Sequence, residues 1–62
     1  MTEYHCTCTI GGKQYAFDTM GCVIRSHADY AFTNFLVDDC GLTISDVETA
    51  QNWQLTRIVI ND

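Results

Sequence analysis

The sequence predicts an α+β fold in the order β-β-α-β: a three-stranded antiparallel sheet with one helix packed on one face, a single domain over residues 1–62. Three observations predict it. Residues 4–10 and 13–19 both alternate apolar with polar around Gly11-Gly12, the mark of a hairpin. Residues 26–41 carry apolar side chains at three- and four-residue spacing, the mark of an amphipathic helix. Residues 54–60 are rich in β-branched side chains and close the chain as a strand.

In the first strand Tyr4, Cys6, Cys8 and Ile10 face one way, and His5, Thr7 and Thr9 face the other. In the second, Tyr15 and Phe17 point inward, Gln14 and Asp18 outward. A two-residue loop at Gly11-Gly12 sets the register: Ile10 opposite Lys13, Cys8 opposite Tyr15, Cys6 opposite Phe17. The apolar face is then continuous across both strands. Met20-Gly21 breaks the pattern, and Cys22-Val23-Ile24 is expected to prolong the second strand beyond a bulge.

Ser26 is the natural N-cap of the helix, with Asp29 adding a favourable charge in the first turn. Gly41 takes the C′ position, and Leu42 is the apolar partner of that cap. Between the caps, Ala28, Ala31, Phe32, Phe35 and Leu36 form the face laid on the sheet. Counting 100° per residue, Tyr30 and Val37 point away from it. Ser45 and Glu48 have capping-box spacing, but no second apolar stripe comes after them, so a helical turn or a loop is expected there. Trp53 is placed at the core's edge, opening the last strand. Leu55, Ile58, Val59 and Ile60 lack strict alternation, as in a strand covered on more than one side.

The composition narrows the function. The apolar fraction, 47%, is that of a folded domain rather than a disordered tail. At 62 residues the core is thin, and chains of this size often use a metal, a disulfide or a partner as a staple. The net charge of −5 opposes direct binding to nucleic acid or to an anionic membrane, and suits a basic protein partner. The opening residues MTEYHC lack the charged and apolar regions of a signal peptide, and the chain holds no transmembrane run, so a cytoplasmic protein is expected. Its four cysteines are then buried thiols or metal ligands rather than structural disulfides.

Two groups of residues could carry a function. Cys6, Cys8, Cys22 and His27 make a three-sulfur, one-nitrogen set acceptable to structural zinc, with His5 as a substitute ligand. A helix of some fourteen residues, spanning roughly 21 Å, carries Cys40 away from Cys22 and leaves it in the core. The hairpin register opposes the zinc set, because it puts Cys6 and Cys8 beneath the helix; reduced, buried thiols are the alternative. Cysteine catalysis would have to pair Cys22 with His27 or His5, and so small a chain leaves little room for a substrate cleft. The second group is acidic. Asp38, Asp39, Asp46 and Glu48 lie in a stretch without Lys or Arg. Asp38 and Asp39 sit in the helix's last turn, where the macrodipole disfavours each by about 0.3–1 kcal/mol. With Tyr30 they form a candidate partner surface, against the plainer reading of a solvated helix end.

A very short, acidic, proline-free β-β-α-β chain without a catalytic motif resembles the small inhibitor proteins of phages and mobile elements, those of the anti-CRISPR type. The resemblance is one of size, charge and layout. It implies a protein that binds a basic nucleic-acid-handling enzyme, such as a CRISPR effector, in the bacterial host cytoplasm and blocks its surface. A structural zinc-binding module of a larger assembly is the alternative.

Overall fold

A computed structural model describes residues 2–21 and 24–59. Among them the order is β1 (Thr2–Ile10), β2 (Lys13–Asp18), α1 (Arg25–Asn34), a π-helical turn (Phe35–Asp39), α2 (Ile44–Glu48) and β3 (Gln51–Val59). The sheet is antiparallel with spatial order β2-β1-β3, so the first strand is central and the other two form the edges. This is the predicted α+β arrangement.

The hairpin is a product of its two glycines. Gly11 and Gly12 have φ of 58° and 79°, the left-handed pair that a tight hairpin turn requires. The register is the expected one, with Ile10 opposite Lys13, Cys8 opposite Tyr15 and Cys6 opposite Phe17. Every second residue of β1 is therefore buried: Tyr4, Cys6, Cys8 and Ile10. β2 spans Lys13–Asp18, and the expected prolongation through Cys22-Val23 lies outside the described residues. The end of β2 is tied by Thr19, which is 3% exposed. The Tyr4 N–H donates to Thr19 Oγ1 at 2.8 Å, and the Thr19 N–H donates to the Tyr4 carbonyl at 3.0 Å.

The helix differs from the expectation at both ends. Its N-cap is Ile24, in extended conformation and without a side-chain cap, so Ser26 lies inside the first turn. The start is anchored instead by Arg25, whose guanidinium donates to the Leu55 carbonyl at 3.4 Å. Asp29 does not serve the first turn; its carboxylate accepts the Trp53 Nε1–H at 2.6 Å. At the far end the helix widens, and the Cys40 N–H reaches back to the Phe35 carbonyl. Gly41, at φ 73°, then reverses the chain as expected. The Leu42 N–H bonds the Leu36 carbonyl, and Leu42 packs on the core. The wider turn rotates its side chains away from a 100° count. Leu36 is fully buried, while Val37, expected on the outside, is half-buried. Cys40, expected in the core, is exposed.

The capping box of α2 lies two residues before the one expected. Thr43 Oγ1 accepts the Asp46 N–H and the Asp46 carboxylate accepts the Thr43 N–H. β3 starts at Gln51, three residues earlier than predicted. Thr7 faces Gln54 but Thr9 faces Gln51, which leaves an extra residue in β3, and Asn52 takes φ 57° there. Without that bulge Gln51 would fall on the core side of the sheet. With it, Gln51 faces solvent while Trp53 and Leu55 stay against the helix. Trp53 closes the core's edge as predicted, its ring 4.7 Å from Phe32. At Ile58 and Val59 β3 is not covered on two sides, since both are exposed; Ile60 lies outside the described residues. The helix layer begins only at Arg25, level with Leu55, and β3 runs past it.

Candidate functional site

The thiols come first. Cys6 is fully buried and Cys8 nearly so, both on the face of β1 beneath the helix. Burial pushes the Cys6 thiol up to about 11, with Asp18 and Asp29 adding to the shift. Cys8 is raised by burial and by its neighbour Cys40. Thiols held in their neutral form are poor nucleophiles and poor metal ligands until deprotonated. His27, the fourth member of the expected zinc set, is exposed on α1, and Cys22 lies outside the described residues. His5, the substitute ligand, stands on the opposite face of the sheet from Cys6 and hydrogen-bonds Asp18 through Nδ1 at 2.5 Å. Among the described residues no three Cys, His, Asp or Glu side chains are grouped to hold a metal ion.

The acidic set divides. Asp46 has its carboxylate committed to the cap of α2, and the hydrogen bonds from Thr43 hold its pKa below the ordinary value. Glu48 is exposed on the same short helix, and Tyr30 is exposed on α1. Asp38 and Asp39 have a more specific setting. They border a groove of about 330 Å³ between the helix and β2, lined also by Phe17, Ala31, Asn34 and Phe35. Phe17 and Phe35 stack with their ring centres 4.6 Å apart. The aromatic pair is half-buried, with the two carboxylates at its border.

Periodicity placed Phe17 and Phe35 in the core and charge singled out Asp38 and Asp39. Nothing in the spacing showed that all four line one groove, because the π-helical turn that puts them there leaves no simple pattern in the sequence. A second hollow, about 560 Å³, lies over the uncovered face of the sheet, where Thr7, Thr9, Gln14, Ala16 and Gln54 present short polar or small side chains. Among the described residues no carboxylate, imidazole or cationic side chain lines it.

The chain matches no family model, no curated protein and no solved structure. The interior is filled by Phe32, Leu36 and the inward side chains of β1, and the groove and hollow are both open to solvent. No helix among the described residues is long and apolar enough to cross a membrane.

Proposed function

We propose that this chain is a small, non-catalytic interaction protein of the cytoplasm, an inhibitor in the anti-CRISPR manner. It binds a basic nucleic-acid-handling protein and blocks the surface on which nucleic acid would lie. The observation that carries the reading is the exposed pair Asp38–Asp39 bordering an aromatic groove, in a chain with a net charge of −5. Carboxylates on a rigid element can compete for the cationic groove that a phosphate backbone would otherwise neutralise. Tyr30 and Glu48, both exposed, complete the proposed contact surface, and Asp46 adds its charge while holding α2 in place.

The test is a cleavage assay with a panel of RNA-guided nucleases, each incubated with the protein before DNA is added. The reading expects stoichiometric inhibition of at least one of them, weakening as salt rises. A panel left unaffected at excess protein, at low salt, sinks it.

The alternative reading, a structural zinc module, rests on Cys6 and Cys8 sharing a strand face, with Cys22 and His27 as the remaining ligands. An inhibitor stapled by a structural zinc is compatible with both readings, and elemental analysis of protein purified without added metal tests the zinc. One zinc per chain, lost with Cys22→Ser, supports the module; folded, metal-free protein removes it.

A further inference from the structure

We propose that the free edge of β2 and the groove beside it form one docking site, whose occupant is an extended, arginine-bearing segment of a partner protein added as a fourth strand. The proposal deepens, and rests on, the reading of this chain as an acidic interaction protein. Two features meet at the site. The first is backbone. The sheet order leaves the outer edge of β2 without a neighbour among the described residues. The Thr19 N–H donates inward to Tyr4, and hydrogen-bonding direction alternates along a strand. Gln14, Ala16 and Asp18 therefore turn their N–H and C=O groups outward, ready to pair with an added strand.

The second feature is the groove on the helix side of that edge. A strand laid beside β2 projects alternate side chains toward the helix layer, level with Phe17 and with Tyr15. At the Phe17 level such a side chain enters the space between the stacked Phe17 and Phe35 rings and the carboxylates of Asp38 and Asp39. An arginine suits both walls, since its planar guanidinium stacks on an aromatic face and forks to carboxylate oxygens. No Lys or Arg lines the groove among the described residues to compete for that place. The Tyr15 level is different. There Lys13 already lies over the Tyr15 ring, 5.3 Å from its centre, and repels a second cation. The site thus selects one arginine opposite Phe17 and a neutral residue two positions away.

The test uses a synthetic heptapeptide of alternating threonine and valine with a single central arginine, titrated into the isotopically labelled protein. Chemical shifts and amide exchange are followed by NMR. The expected result is saturable perturbation centred on Ala16, Phe17, Phe35, Asp38 and Asp39, with slowed exchange of the Ala16 N–H. Asp38→Asn with Asp39→Asn is expected to weaken binding at least fivefold. A glutamate at the peptide's centre, or N-methylation of the residues facing β2, is expected to abolish it. The proposal is overturned by the absence of perturbation at millimolar peptide, or by perturbation centred on α2 or β3. Equal binding of the N-methylated peptide overturns it too. The two readings fail separately. Nuclease inhibition by a protein whose groove ignores the peptide leaves the inhibitor reading standing, and peptide docking without inhibition of any nuclease leaves the groove standing.

Discussion

Replacing Thr19 with valine keeps the shape of the side chain and removes the acceptor of the buried Tyr4 N–H. A buried donor left without a partner costs about 1–3 kcal/mol, so Thr19→Val is expected to lower the urea midpoint with an unchanged slope. Thr19→Ser keeps the acceptor and is expected to recover most of the loss. The same fold makes Cys6 a reporter of pH. Its thiol is raised from 9.0 to about 11 in the folded chain, mainly by burial. The folded state therefore binds the proton more tightly than the unfolded one. The resulting stability is fully present below pH 9 and is lost as pH climbs from 9 toward 11, a decline on the order of 2–3 kcal/mol. Denaturation in urea across that range checks it, with Cys6→Ala expected to flatten the slope. The inward direction of Cys6 could be read from its alternation with Thr7 and His5. The exposure of Cys40 could not, because it depends on the width of the helical turn before it.

At the scale of the element, the hairpin was fully legible. Two consecutive glycines between alternating runs fix both loop length and register, and the register then decides which side chains meet. Its chemistry gives a prediction. Gly12 sits at φ 79°, where a β-branched side chain is strained, so Gly12→Val is expected to cost about 1–2 kcal/mol. Gly11→Asn, at φ 58°, is expected to be nearly neutral, since asparagine suits the first position of such a turn. Thermal unfolding of the two variants side by side checks the difference. The other elements were legible in type and less so at their ends. Ser26 offered a better cap than Ile24, yet the start of the helix is set by tertiary contacts, the Arg25 bond to Leu55 and the Trp53 bond to Asp29. These join residues far apart in sequence and leave no local signal. The opening of β3 was hidden for a related reason. Gln51 and Asn52 read as loop, whereas the left-handed Asn52 is the bulge that lets the strand begin there.

The described residues measure 38 × 19 × 16 Å along their principal axes. Asp38 and Asp39 border the groove at Phe17, on the β2 side of the sheet. Arg25 reaches the Leu55 carbonyl and Arg57 lies opposite Tyr4, both on the β3 side. Charge count was visible in the sequence; the seating of Asp38 and Asp39 at the groove on the β2 side needed the fold. The inhibitor reading turns this into a prediction that separates surface from scaffold. Asp38→Asn, Asp39→Asn and Glu48→Gln together remove three exposed charges and no hydrogen bond that holds the described fold. The asparagines also relieve an unfavourable pairing of carboxylates with a helix C-terminus. The triple variant is therefore expected to match or exceed the parent in thermal stability while losing inhibition of the nuclease that the parent blocks. Residual inhibition should show a shallower dependence on salt, because fewer charges take part. Loss of stability with inhibition intact would instead assign these acids to the fold. The surface would then have to be sought along β3, where Ile58 and Val59 stand exposed.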